Sequence, residues 1–216
     1  MIKKKFVPVM LTPFKENGAV DYDALSRLTE FYLEAGAAGL FANCLSSEMY
    51  ELTEEERLAV VKRVIEVTNG EVPVVATGTF KGSLEMRAAF IKKLHAIGTE
   101  AAIIITGIMA GPEAPDTVLK DNVHRLLDQT AGVPVGFYEC PVPYKRVLSA
   151  GLLADFVAYA GGRVIYHKDT SLDLEGIKAK LSAVKDDAFG LYDAYMAHAV
   201  ASLKAGSAGL SCIQGN

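Results

Sequence analysis

Eight short apolar runs recur along the chain, each but the last followed by a helical pattern. They are Phe6–Met10, Gly39–Cys44, Val72–Thr77, Ala101–Thr106, Val133–Tyr138, Arg163–Lys168, Phe189–Tyr192 and Gly209–Ile213. Most are apolar at nearly every position rather than at alternate ones. Strands that read this way are buried on both faces, which places them in a parallel sheet beneath helices. Eight of them in alternation with helices predict an α/β fold, a TIM (β/α)₈ barrel. The competing arrangement, an open doubly wound sheet, would carry a GxGxxG turn after its first strand. Leu11-Thr12-Pro13-Phe14 stands there instead, and no P-loop pattern occurs.

The segments between the runs carry helix punctuation. Thr53-Glu54-Glu55-Glu56 reads as a capping box, with Asn69-Gly70 as the stop. Leu58, Val61 and Ile65 are expected on the buried face of that helix, and Leu25, Leu28 and Tyr32 on that of the first. Ser83 and Asp116 are expected N-caps, and Gly98, Gly132 and Gly206 close helices just before strands.

With 216 residues, half of them hydrophobic, residues 1–216 read as one barrel domain. Barrels of this type run to about 250 residues and include an eighth helix. The sequence therefore reads as truncated after strand eight. A net charge of −4 with no basic tract argues against a nucleic-acid partner. No run of about 20 apolar residues is present to span a membrane. Cys44, Cys140 and Cys212 lie far apart without a CxxC, which suggests a reducing, cytoplasmic setting.

Active sites of such barrels lie at the C-terminal strand ends. There stand Ser46, Ser47 and Glu48, then Thr77, Thr79 and Thr106, then Tyr138 and Glu139, then Lys168, Asp169 and Thr170, and finally Asp193. Alternation along Val164-Ile165-Tyr166-His167-Lys168 puts Lys168 on the face of Val164 and Tyr166, and His167 on the other. If Lys168 faces the barrel interior, desolvation lowers its pKa from about 10.4 and frees an amine that can attack a ketone. From position alone, a strand-end lysine snorkelling to solvent is the plainer reading. Tyr138, at the end of the adjacent strand, shifts the balance, because a phenol beside an imine can relay protons. It could equally be a core aromatic with a wet hydroxyl. The Ser46-Ser47 turn offers hydroxyls and N–H groups to a carboxylate, or serves only as a turn. Thr170 is a further substrate-binding candidate.

These residues also carry a resemblance. Leu11-Thr12-Pro13-Phe14 resembles a first-strand TPF. Cys44-Leu45-Ser46-Ser47-Glu48 with Leu52-Thr53-Glu54-Glu55-Glu56-Arg57 resembles G-[ST]-T-G-E followed by L-T-x-x-E-R. Tyr138-Glu139-Cys140-Pro141 resembles Y-N-x-P, His167-Lys168-Asp169-Thr170 a Schiff-base lysine strand, and Ala205-Gly206-Ser207-Ala208-Gly209 the G-A-x-G before strand eight. Together, in order, they are similar to the dihydrodipicolinate synthase / N-acetylneuraminate lyase family of class I aldolase-type lyases. The resemblance implies Lys168 as imine former, Tyr138 as proton relay and Ser46-Ser47 as the carboxylate site. It also implies a pyruvate-type 2-oxo acid substrate, a homotetramer, and no metal or organic cofactor.

Departures are visible as well. Leu45 replaces a relay threonine, Ser47 a glycine, and Gly107-Ile108-Met109 a Pro-Tyr-Tyr. Pro143 aligns with a substrate arginine, and Tyr192-Asp193-Ala194-Tyr195 replaces G-x-D-E. The expectation is a Schiff-base lyase, aldolase or dehydratase, with an altered second-substrate pocket. One alternative is a non-catalytic 2-oxo acid-binding barrel. Another is a metal-dependent lyase using Glu48, Glu139 and Asp193, although no HxH or HExxH spacing supports it.

Overall fold

The apolar runs become eight parallel strands in a computed structural model that describes residues 4–214. In chain order these are β1 (Lys5–Phe6), α1 (Tyr22–Glu34), β2 (Leu40–Ala42), α2 (Glu54–Thr68), β3 (Val74–Thr77), α3 (Leu84–Ala96) and β4 (Ala101–Ile105). Then follow α4 (Thr106–Met109), α5 (Asp116–Gln129), β5 (Val135–Tyr138), α6 (Ala150–Ala160), β6 (Val164–Asp169), α7 (Leu174–Ala183), β7 (Gly190–Asp193), α8 (Ala199–Ala205) and β8 (Gly209–Leu210).

Strand order around the sheet is β1-β8-β7-β6-β5-β4-β3-β2. The ends meet. Val9 bridges Phe41 in parallel, with hydrogen bonds from Ala38 N to Phe6 O (2.8 Å), Phe41 N to Pro8 O (3.0 Å) and Met10 N to Phe41 O (3.0 Å). The strands therefore close into a barrel. No helix follows β8 among the described residues.

Two apolar clusters follow from this closure. Inside the barrel lie Val7, Val9, Phe41, Val75, Ile103, Tyr138, Tyr166 and Tyr192. Between the strands and the helices lies a larger cluster that includes Leu25, Leu40, Val61, Ile91, Leu126 and Phe156. Large aromatics fit inside because a neighbour gives way. At Gly136 a Cβ would lie 2.7 Å from Ile103 Cδ1 and 2.8 Å from Tyr166 Cβ. Gly136 thus makes the room that Tyr166 fills, and Tyr166 stacks on Tyr192 with centroids 4.4 Å apart.

Local sequence decides the helix ends. The Thr53 box forms as expected, with Glu56 N–H donating to Thr53 Oγ1 and Thr53 N–H donating to Glu56 Oε2. Ser83 caps α3. Asp116 does not cap α5: Pro115 holds that position, and Asp116 instead accepts from Arg146 at 2.9 Å. The buried face of α2 is Val60, Val61, Val64 and Thr68, rotated from the expected Leu58, Val61 and Ile65.

Candidate active site

Alternation along β6 sends Tyr166 and Lys168 into the barrel and His167 and Asp169 outward, against the helices. Lys168 is 5% exposed, so it does not snorkel. Its Nζ lies 4.6 Å from the Tyr138 ring centroid and 5.6 Å from that of Phe41. Among the described residues it makes no ion pair and no hydrogen bond. Burial pulls its pKa down from the ordinary lysine value, and only the Cys44, Cys140 and Cys212 thiols oppose that shift. Burial in turn pushes the Cys140 thiol up, and the Cys212 thiol up to about 11. Near neutral pH both are uncharged and leave the lysine without a counter-ion. Aromatic faces give the ammonium partial compensation only.

Tyr138 is the direct register partner of Lys168 across β5 and β6. Burial, reinforced by the Cys140 and Cys44 thiols, drives its phenol far above the usual value. The hydroxyl therefore stays protonated and is available as a donor. Both residues line a cavity of about 380 Å³ at the C-terminal strand ends, together with Ser46, Lys145 and Thr170 and an otherwise apolar wall. A larger cavity, about 470 Å³, opens at the opposite, N-terminal end of the barrel, where Lys5, Gly39 and Glu100 lie. Volume does not choose between them. Only the smaller one contains a desolvated amine beside a proton donor, and it lies on the face where such barrels place their chemistry.

The serine turn divides. Ser46 reaches the cavity, its hydroxyl near the carbonyls of Met10 (3.1 Å) and Val9 (3.3 Å) and 3.0 Å from Cys44 Sγ. Ser47 does not reach it. Its hydroxyl donates to Cys44 O at 2.7 Å, and its N–H donates to the same carbonyl at 3.1 Å. The Glu48 N–H donates to Leu45 O at 3.2 Å. These groups were expected for a substrate carboxylate, but the 3₁₀ turn Leu45–Ser47 consumes them. Thr170 lines the cavity, with its hydroxyl donating to the Glu139 carbonyl.

On the outer face of the same strand ends lies a buried ionic cluster. Lys180, 2% exposed on α7, places Nζ 2.6 Å from both Glu139 Oε1 and Asp169 Oδ2. Glu139 also accepts from the N–H groups of Leu148 (2.9 Å) and Thr170 (3.2 Å). Asp169 accepts from the Ser171 N–H (2.8 Å) and hydroxyl (2.6 Å). His167 Nε2 stands 3.5 Å from Glu139 and 3.8 Å from Asp169, which are charge contacts rather than hydrogen bonds. Burial would raise the Asp169 carboxyl, but His167 and Lys180 outweigh it and hold the group well below the usual range. The carboxylates raise His167 despite its own burial.

Glu139, His167 and Asp169 are close enough to ligate a cation, yet the Lys180 ammonium already lies between the two carboxylates. The expected trio Glu48, Glu139 and Asp193 does not converge. Glu48 is exposed, Glu139 faces Lys180, and Asp193 pairs with His198 Nδ1 at 2.8 Å.

Two functional positions escaped the sequence reading. Lys180 shares with Ile177, three residues earlier, the buried face of α7, and that burial depends on which strand end the helix covers. Lys145 carries no motif of its own, and its ammonium donates to Thr170 O (2.8 Å) at the cavity rim.

A closed eight-stranded parallel barrel, with a buried lysine that makes no ion pair or hydrogen bond among the described residues at the end of its sixth strand, defines the class as a TIM barrel with its candidate site at the C-terminal strand ends. Within that class, the sequence model of the dihydrodipicolinate synthetase family matches residues 3–216, and the chain belongs to this family. It is 38% identical over 97 residues to 4-hydroxy-tetrahydrodipicolinate synthase 2 of Halalkalibacterium halodurans, covering 45% of this chain and 33% of that protein. It is 32% identical over 135 residues to the 4-hydroxy-tetrahydrodipicolinate synthase of Hyphomonas neptunium, covering 62% and 44%. The matched region thus spans less than half the length of these curated relatives. A dihydrodipicolinate synthase of Acinetobacter baumannii, solved in complex with pyruvate, superposes with a TM-score of 0.84 at 21% identity, over 98% of this chain and 70% of that one. A monomeric dihydrodipicolinate synthase variant superposes at 0.86 with 20% identity, over 97% and 69%. At these identities the structures establish the shared barrel.

Proposed function

We propose that the chain forms the barrel of a Schiff-base lyase acting on a small, pyruvate-type 2-oxo acid, by aldol cleavage or condensation or by dehydration. One observation carries this reading: Lys168 is buried without a counter-ion beside its register partner Tyr138. Family membership supports it.

The neutral Lys168 amine attacks the 2-oxo carbon, and the C–N bond forms as the carbonyl π pair moves to oxygen. The Tyr138 hydroxyl carries the surplus proton from nitrogen to that oxygen, giving a neutral carbinolamine. A second proton from Tyr138 lets the oxygen leave as water and leaves an iminium and a phenolate. The iminium draws the electrons of the bond at the neighbouring carbon. In cleavage, that C–C bond breaks while the phenolate takes the proton of the departing carbinol, which regenerates Tyr138 and releases an aldehyde. Condensation is the reverse. Ser46, the one serine of the turn that reaches the cavity, meets the substrate carboxylate by turning its hydroxyl away from the Met10 and Val9 carbonyls. Thr170 completes that rim.

The three cysteines are free and buried, which supports a reducing, cytoplasmic setting. Among the described residues no helix is long and apolar enough to cross a membrane. A homo-oligomer, a tetramer by resemblance, is the assembly we expect, and light scattering measures it directly.

The test is trapping. Incubation with pyruvate and borohydride, followed by peptide mass spectrometry, should place a reduced adduct on Lys168 and leave Lys168→Ala unmodified. Saturable pyruvate binding by the folded chain without an adduct would make it a binding barrel instead.

A further inference from the structure

The cavity around Lys168 is polar at its floor and apolar on its walls. Beyond the imine machinery it is lined by Val9, Leu45, Pro141, Leu172, Ala194 and Ile213. The remaining polar groups are few and each already makes a bond, with the Lys145 ammonium keeping two further donors at the rim. Ser46 Oγ lies against two main-chain carbonyls, the Thr170 hydroxyl donates to the Glu139 carbonyl, and Lys145 Nζ donates to the Thr170 carbonyl. A substrate with its 2-oxo carbon on Lys168 and its carboxylate toward Ser46 extends its other end along this apolar wall.

Resting on the Schiff-base reading, we propose that the aldehyde this site condenses or releases carries an apolar tail rather than a polyhydroxylated one. A hydroxyl placed against Val9 or Leu45, deeper in the cavity than the exposed Leu172 and Ile213, gives up its water and finds no donor or acceptor on the apolar wall in return. A methylene in the same place is removed from water at no such penalty.

Leu172 strengthens the argument. Its φ is +64°, in the left-handed region that branched side chains rarely adopt. It is 54% exposed, yet it lines the cavity. Asparagine is at home in that conformation, and the fold alone would favour it over leucine. A leucine kept there against backbone preference supplies apolar surface at the mouth. Leu45 adds to the same wall.

The test uses the chain with pyruvate as donor, after an adduct on Lys168 has been verified. Condensation is followed with propanal, butanal and pentanal, which share one carbonyl reactivity and differ only in tail, and with glyceraldehyde. We expect kcat/KM to rise by about 3-fold per added methylene. We expect glyceraldehyde to fall at least about 10-fold below butanal. Leu172→Asn, which relieves the backbone and adds a polar group, should shrink both differences. A flat or falling aliphatic series with the adduct intact overturns the proposal, as does a preference for glyceraldehyde or condensation with none of the four. A series unchanged in Leu172→Asn removes this wall as its cause. Absence of the Lys168 adduct removes the Schiff-base reading itself, and the proposal with it.

Discussion

Lys168 and Lys180 are the same residue type, both almost fully buried, and they flank one strand end from opposite sides. Lys180 meets two carboxylates at 2.6 Å, while Lys168 meets only aromatic faces and thiols. Burial of a charge is tolerable when paired and costly when not. Lys180 is therefore held between two carboxylates in a structural clamp. Lys168 is pressed by burial toward the neutral amine, the form the proposed reaction needs. The contrast is written in alternation: Lys168 points into the barrel, and its neighbours His167 and Asp169 point out to meet the clamp.

The largest effect should come from breaking the clamp. Lys180→Met leaves Glu139 and Asp169 buried without their cation, and urea unfolding should show a loss of about 3–5 kcal/mol. The pH dependence has a definite sign. In the native chain the Asp169 pKa is depressed, so its contribution is present above the usual carboxylate value near 4 and is lost as pH falls below it. Without Lys180, only His167 and the Ser171 hydrogen bonds oppose burial at Asp169, and its folded pKa rises from the depressed native value. The folded state then binds the extra protons, and the deficit grows as pH rises. A deficit of under 1 kcal/mol, flat with pH, would mean the clamp is not holding the strand ends.

Tyr138→Phe removes the donor but keeps the ring beside Lys168. Single-turnover trapping should show adduct formation slowed by about 100-fold or more, with the melting temperature little changed. Formation at the native rate would assign proton transfer to water.

The smallest effect, with the opposite sign to the first, belongs to Lys168. Lys168→Met abolishes the adduct and should raise stability by about 1–2 kcal/mol near pH 7, since an unpaired buried cation is removed. The folded pKa of Lys168 is lowered, so between that value and the unfolded value near 10.4 the unfolded chain binds more protons. Native stability therefore rises with pH across that window, and the advantage of Lys168→Met fades toward its upper end. Destabilisation at pH 7 would show that Lys168 is structural, like Lys180.

Much of this comparison was legible in the sequence. The eight apolar runs, the inward phase of Lys168 and the adjacency of Tyr138 follow from alternation and strand order, and the structure bears out the placement. The metal alternative failed on the same rule. Tyr138 points inward, so its neighbour Glu139 points outward and could not meet Glu48 at the mouth. Ser47 failed for another reason. A turn N–H or hydroxyl is free only if the turn does not use it, and the hydrogen bonds of a three-residue 3₁₀ turn are invisible in residue identity. Lys180 required knowing which helix lies over which strand end, a long-range fact.

Phe41 ties two properties together. It carries the Val9–Phe41 bridge by which the barrel closes, and its ring is one wall of the chamber around Lys168 Nζ. The seam of the barrel is therefore also the seal of the amine. Any fluctuation that unzips the first and second strands lets water reach Nζ, and a hydrated amine takes up a proton and stops being a nucleophile. In the proposed reaction, closure of the ring and reactivity of the lysine rise and fall as a single quantity.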